Sequence, residues 1–547
     1  QPAARPHGDS GRWLLAALLL ALLLAACSRD KPPAETASAP ARSPEPAAAG
    51  TVTLTQTAAP APAGRTPALE PVSCSTFNVD DAQAVRPVRC AYLAVPEDRG
   101  RPDGRTIRLA VAVFEAANKQ PGEPPLIWLD GGPGGASVEL MASVVIGPTG
   151  RLLLPGRDLT ADRDLVLIDQ RGTGHSPPSL ACPELAAFES PVLEPAAGRS
   201  AAYDAALVCR DRLVADGVNL AAYTSAENAA DVNDLRRALG YDQVYLYGVS
   251  YGTRLALTVL RDFPSTVRSA VLDSPLPVQA DLYVDVAGSA QRALDLVFDG
   301  CAADLACGAA YPDLKGTFYD LVARLNQDPI AVPSKNPTTG EAETMQLTGD
   351  GLVRGMFNLL YVTPMIPLVP ALISRIRDGG MEPFLAAARQ LQQGAFISRA
   401  MQFSVQCAEE MPFTTPEAVA AAEQAVRLEL ARAFLLDEFR ETAALCAAWP
   451  AARVGPAENA PVQSAVPTLI LSGRNDPITP PAYAEMAART LPNSTVAVFP
   501  GVAHAALLST KTCPYDIAWA FLRDPTARPN TSCAATMQDP AWRVLPR

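Results

Sequence analysis

The octapeptide Leu246-Tyr247-Gly248-Val249-Ser250-Tyr251-Gly252-Thr253 sets the architecture of this chain. It joins an apolar run, 244–247, to a helical pattern, 253–263, that Pro264 stops. Between them lies Gly-x-Ser-x-Gly. Two glycines flanking one serine are what a sharp strand-to-helix turn requires. Such a turn leaves the Ser250 hydroxyl projecting at the carboxyl edge of a sheet.

The same alternation recurs outward from this turn. Residues 91–95, 107–114, 126–129, 165–168, 270–272, 468–471 and 495–499 are short apolar runs, several of them continuous, as strands covered on both faces are. Residues 227–239 form a second helical pattern. Strands alternating with helices predict an α/β class with a mostly parallel central sheet flanked by helices. Between Pro277 and Ala465 the alternation lapses. Helix-like patterns at 281–298, 314–325, 352–361, 381–391 and 416–434 predict an inserted, mainly helical cap domain. The expected division is core at 68–276, cap at 277–465 and core again at 466–547.

The 547 residues carry 57 acidic against 45 basic side chains, a net charge of −12. That balance argues against a nucleic-acid partner. Histidine is scarce: His7, His175 and His504 are the whole supply. That scarcity argues against multi-histidine metal sites, and the chemistry read below needs no metal or cofactor.

A serine hydroxyl is a weak nucleophile and needs a base within hydrogen-bond reach. On a turn of this kind the partners follow in the order Ser, Asp or Glu, His. Only His504 lies after Ser250, in a loop just past the last apolar run. The orienting carboxylate belongs at the end of the preceding run, where Asp476 stands 28 residues before His504. Its task is to hold the imidazole tautomer and stabilise the imidazolium. Asp273, at the end of the run after the serine helix, is the competing acid.

Residues 126–129 lead into Asp130-Gly131-Gly132-Pro133-Gly134-Gly135. A glycine-dense turn lets backbone amides approach a developing oxyanion closely. The expected donors are the N–H of Tyr251 and that of Gly132, with Gly131 the alternate. A phosphate loop is excluded, because Gly-Lys-Ser/Thr and a basic neighbour are lacking.

Three segments in order carry a resemblance. Asp130 to Gly135 looks like an H-G-G-P-G loop, with Asp130 where proline iminopeptidases carry His. Asp169-Gln170-Arg171-Gly172-Thr173-Gly174-His175-Ser176 looks like D-Q-R-G-x-G-x-S, and Gly248 to Thr253 like the G-x-S-Y-G-T elbow. Together they resemble the prolyl aminopeptidase and tripeptidyl aminopeptidase family of α/β-hydrolase serine exopeptidases, over about residues 70–540. The resemblance implies an α/β-hydrolase fold, peptide substrates with a free N-terminus, and release of one to three residues. It places His175 in a structural segment. It also implies carboxylates that receive the substrate ammonium. Gln406-Cys407-Ala408-Glu409-Glu410 is similar to the family's Cys-x-acidic segment, which makes Glu409 the first candidate and Glu410 the second. Two other readings stand beside it: an esterase or amide hydrolase with the same triad, and a non-catalytic lipid-anchored binding protein.

The amino-terminal segment concerns address. Arg5 and Arg12 precede an uncharged run, 13–26, with the build of a signal-peptide core. It ends Leu24-Ala25-Ala26-Cys27, which resembles a bacterial lipobox, so residues 1–27 read as a lipoprotein signal and Cys27 as the lipidation site. Residues 28–67 are dominated by Ala, Pro, Ser and Thr and read as a disordered tether. The expected location is the bacterial cell envelope, held at a membrane through lipidated Cys27, with Ser28 pointing to outer-membrane sorting. Ten other cysteines remain. Pairing sequential neighbours gives Cys74–Cys90, Cys182–Cys209, Cys301–Cys307, Cys407–Cys446 and Cys513–Cys533, one of the connectivities ten cysteines allow.

Overall fold

The computed structural model describes residues 67–79, 87–138, 141, 161–188, 190, 192–195, 199–335, 340–393 and 397–545. The expected signal segment, Cys27 and all of the tether but its last residue lie outside the described residues.

Twelve strands occur among the described residues: β1 (Leu69–Val72), β2 (Val88–Pro96), β3 (Thr106–Phe114), β4 (Leu126–Leu129), β5 (Leu165–Ile168), β6 (Glu194–Pro195), β7 (Val244–Val249), β8 (Val267–Asp273), β9 (Ile330–Lys335), β10 (Ala342–Leu347), β11 (Thr468–Gly473) and β12 (Ser494–Phe499). Nine form one sheet in the order β1-β2-β3-β5-β4-β7-β8-β11-β12. The edge strands β1 to β3 pair antiparallel, and β5-β4-β7-β8-β11-β12 run parallel. Every residue of β4, β5, β7 and β11 is buried. That double burial explains why their sequences are continuous apolar runs.

Side chains along these strands alternate between two cores. Ile127, Leu129, Leu246 and Ile470 join one cluster, while Leu126, Trp128, Tyr245, Tyr247, Leu469 and Leu471 join the cluster on the opposite face. The helix Tyr251–Asp262 is buried along almost its whole length, and its buried polar side chains Thr253, Arg254 and Thr258 are each hydrogen-bonded to a backbone carbonyl. Parallel pairing puts the carboxyl ends of β4, β7, β8, β11 and β12 at one edge. The loops carrying Gly131, Ser250, Asp476 and His504, and the loop that follows Asp273, therefore leave the sheet on the same side.

The stretch 277–465 holds the helices Leu282–Ala303, Leu314–Gln327, Gly349–Leu360, Val369–Arg377, Glu382–Gln393, Arg399–Glu409, Pro416–Ala425 and Asp437–Ala448. Most of these helices share a core that includes Leu294, Phe318, Met356, Ile373 and Leu385. Two features depart from the sequence pattern. The run 416–434 is not one helix, because Val426 is extended (φ −118°, ψ 168°) and divides it. β6, β10 and β9 also make a small antiparallel sheet. β9 contains Pro333, and β9 and β10 each bury only one or two of six residues, so their apolar signal is weak.

Five disulfides join sequential neighbours: Cys74–Cys90, Cys182–Cys209, Cys301–Cys307, Cys407–Cys446 and Cys513–Cys533. All five are the pairings expected from cysteine order. Among the described residues no helix is long and apolar enough to cross a membrane.

Candidate active site

Ser250 sits between β7 and the helix Tyr251–Asp262 with φ 56° and ψ −125°. Such a conformation costs an ordinary residue about 1–3 kcal/mol. The flanking glycines make the turn possible. A β-carbon on Gly252 would stand 2.0 Å from the Leu129 carbonyl oxygen, and one on Gly248 would stand 2.4 Å from the Gly252 carbonyl oxygen. The Ser250 N–H donates to the Asp273 carbonyl at 3.0 Å, and the Thr253 N–H and hydroxyl return to the Ser250 carbonyl at 2.8 and 2.6 Å. The strained turn is thus held from both sides.

The glycine loop after β4 runs beside this serine. A β-carbon on Gly131 would lie 3.5 Å from Ser250 Oγ. The Gly131 N–H is committed to Asp130 Oδ1 at 2.9 Å, whereas the Gly132 N–H has no acceptor among the described residues. The Tyr251 N–H opens its helix, where no preceding turn supplies an acceptor. Of the expected amides, Gly132 and Tyr251 are therefore free to meet an oxyanion, and the alternate, Gly131, is not. Asp130 itself is raised to about 6, first by burial and then by the charge of Asp169, against the hydrogen bond from Gly131.

The segment Asp169 to Ser176 buttresses that loop. Gln170 Nε2 donates to the Asp130 carbonyl at 3.0 Å, and the Asp169 carboxylate accepts the N–H of Val138 and of His175 at 2.8 and 2.9 Å. Buried Arg171 makes two 2.8 Å bonds to Asp231. The His175 ring leans on Phe77 at 5.6 Å, a structural setting.

His504 and Asp476 meet directly. His504 Nδ1 is 2.8 Å from Asp476 Oδ2. The Thr479 hydroxyl donates to the same carboxylate oxygen at 2.7 Å, while Asp476 Oδ1 accepts the N–H of Ile478 and of Thr479 at 3.0 and 2.9 Å. The carboxylate assigns the ring proton to Nδ1 and leaves Nε2 as the free base. Burial opposes charge on both partners, and their attraction outweighs it: the imidazole is held above its ordinary value and the carboxyl below. The Tyr361 ring meets the imidazole edge-on at 5.0 Å. Arg292, from the helix Leu282–Ala303, donates to the carbonyls of Arg474 and Asp476.

Asp273, the competing acid, is engaged elsewhere. Its carboxylate accepts from Tyr247 Oη, Ala506 N–H and Leu507 N–H at 2.8, 2.7 and 2.8 Å.

Glu409 and Glu410 end the helix Arg399–Glu409 on different terms. The Glu409 carboxylate accepts the Ser225 N–H at 2.5 Å and faces Arg254 Nε at 3.4 Å, and Arg254 also holds its carbonyl at 3.0 Å. Glu410 is also buried, yet neither carboxylate oxygen meets a donor among the described residues. Burial pushes its carboxyl up, with Arg254 offsetting part and Glu409 and Asp281 adding to it.

Residues 124–327 match the α/β hydrolase fold family and residues 433–533 match the TAP-like protein family. Ser250 falls in the first span, Asp476 and His504 in the second. The chain has the α/β hydrolase fold. Serine protease Hip1 of Mycobacterium tuberculosis is 27% identical over 469 residues, which cover 81% of this chain and 86% of that protein. Carboxylesterase B of the same species is 28% identical over 510 residues, covering 86% and 92%. Tripeptidyl aminopeptidase of Streptomyces lividans is 33% identical over a shorter span of 199 residues, 35% of each chain. This α/β hydrolase is a serine hydrolase.

Three neighbours of the site in this hydrolase escaped the sequence reading: Thr479, Tyr361 and Arg292. Thr479 lies three residues after Asp476 and was within reach of a local reading. Tyr361 and Arg292 arrive from distant helices, and no motif marks them.

Proposed function

We propose that this serine hydrolase is a peptidase that releases short N-terminal fragments, of one to three residues, from peptides with a free N-terminus. Ser250 Oγ attacks the scissile carbonyl while His504 Nε2 takes its proton. The Gly132 and Tyr251 amides hold the tetrahedral oxyanion, and Asp476 stabilises the imidazolium. His504 returns the proton to the leaving amine. Water, activated by the same imidazole, then releases the fragment from the acyl-enzyme on Ser250.

The observation that carries the N-terminal preference is the buried, unpartnered carboxylate of Glu410. A buried carboxylate without a donor is costly, and a substrate ammonium supplies the missing partner. Glu409, the first choice by sequence, has spent its carboxylate on Ser225 and Arg254. The ammonium role passes to Glu410, with Glu409 and Arg254 fixing the helix end beside it.

The enzyme acts, in this reading, at the bacterial cell envelope, tethered through lipidated Cys27. A fluorophosphonate probe tests the nucleophile: labelling of the folded chain, lost in Ser250→Ala, supports the reading. Absence of labelling would favour a binding protein. Faster turnover of short acyl esters than of aminoacyl amides would favour the esterase reading.

A further inference from the structure

Asp273, which ends β8, and Ser274, which follows it, touch each segment that bears a triad member. The Asp273 carbonyl accepts the Ser250 N–H at 3.0 Å, and the Ser274 N–H donates to the Leu471 carbonyl of β11 at 2.8 Å, on the strand that leads to Asp476. Their side chains turn the other way, onto the loop of the base. Ser274 Oγ accepts the N–H of Ala505 at 2.9 Å, Asp273 Oδ1 that of Ala506 at 2.7 Å, and Asp273 Oδ2 that of Leu507 at 2.8 Å. Three consecutive amides immediately after His504 are thus held by two adjacent side chains. Tyr247 Oη, from the strand that precedes Ser250, donates to Asp273 Oδ2 at 2.8 Å.

Backbone strain marks the same place. Ser250, Ser274 and Ala505 have φ of 56°, 57° and 60° without being glycine. Such conformations persist where surrounding bonds over-determine them, and they gather where geometry matters to mechanism. Asp273 and Ser274 are both fully buried, so solvent does not compete for these acceptors.

We propose that Asp273 and Ser274 are positioning residues for His504: together they register the base loop against the nucleophile turn and so set the reach of the imidazole to Ser250. The proposal rests on the Ser250–His504–Asp476 reading. It gives Asp273 a task distinct from that of Asp476, whose carboxylate bonds the imidazole ring itself. A small error in the place of the base is expensive, since about 1 Å of misplacement costs on the order of 100-fold in rate.

Asp273 also adds its charge to the field at the imidazole. The groups facing that ring are Asp476, Asp273, the Thr479 hydroxyl and the Tyr361 ring. Both carboxylates favour the protonated imidazole, so neutralising Asp273 lowers the pH at which His504 loses its proton.

The test measures kcat, KM and the pH profile of kcat/KM for the full chain and for its Asp273→Asn, Ser274→Ala and His504→Ala variants, on one free-N-terminus peptide amide. Asp273→Asn is expected to lower kcat about 100-fold with KM within about twofold, and to move the acid limb of kcat/KM to lower pH. Ser274→Ala, which removes one neutral acceptor, is expected to lower kcat about tenfold with the acid limb in place. A folded Asp273→Asn with wild-type kcat and an unmoved acid limb overturns the proposal. If Asp273→Asn does not fold, Ser274→Ala decides, and an unchanged kcat overturns it. His504→Ala separates the two levels: its retained activity would sink the triad reading itself, whatever the other variants do.

Discussion

His504 Nδ1 stands 2.8 Å from Asp476 Oδ2, and the same carboxylate is fixed by the Thr479 hydroxyl and by two backbone amides. The acid is thus locked before the imidazole reaches it. Asp476→Asn keeps the shape but offers the ring an amide, which favours the wrong tautomer. We expect kcat to fall about 10,000-fold with the fold intact, measured by steady-state turnover and circular dichroism. Turnover near wild type would remove Asp476 from the triad.

The pH profile follows from the same pair. Burial alone would depress the imidazole, but the charge and hydrogen bond of Asp476, with the charge of Asp273, hold it above its ordinary value of about 6.5. The base must be neutral to accept the Ser250 proton. The acid limb of kcat/KM is therefore expected to inflect above about 6.5, and to move to lower pH in Asp476→Asn. A limb that stays in place in that variant would assign it to another group.

Glu410 carries a trade-off. Its carboxylate is buried without a donor, so Glu410→Gln removes an uncompensated charge and is expected to raise the Tm at pH 8. The same change removes the partner for a substrate ammonium. For free-N-terminus peptides kcat/KM is expected to fall by a factor on the order of 100, while fluorophosphonate labelling of Ser250 stays near wild type. Unchanged kcat/KM would take the ammonium site away from Glu410.

The disulfide Cys407–Cys446 closes a span of 39 residues and ties the helix that ends at Glu409 to the helix Asp437–Ala448. A loop of that size is worth about 4 kcal/mol in the chain-entropy account. The double substitution Cys407→Ser with Cys446→Ser is expected to lower the Tm in thermal melts and to raise KM for peptides more than it lowers kcat. An unshifted Tm would mean that the Trp449 Nε1 to Ser404 bond at 3.0 Å and its surroundings hold the helix without the bridge.

The parallel core was legible because β4, β5, β7 and β11 are buried on both faces, so their runs are unbroken apolar sequence. The site was legible for a related reason. A chain with three histidines offers one base after Ser250, and order along the chain then points to Asp476. What stayed hidden depends on contacts between distant segments. Glu409 and Glu410 are adjacent in sequence and alike in chemistry. Only the arrival of Ser225 and Arg254 separates a spent carboxylate from a free one. The small sheet β6-β10-β9 was hidden because β9 and β10 bury only one or two of their six residues and so carry little apolar sequence.

The central claim is cleavage near a free N-terminus by Ser250. It is tested most directly by incubating the enzyme, and its Ser250→Ala variant, with a peptide ladder whose members carry either a free or an acetylated N-terminus, and reading the products by mass spectrometry. The account predicts N-terminal fragments of one to three residues from the free peptides, none from the acetylated ones, and no products with Ser250→Ala. Equal cleavage of blocked and free peptides, or cuts in the interior of the chain, would contradict it.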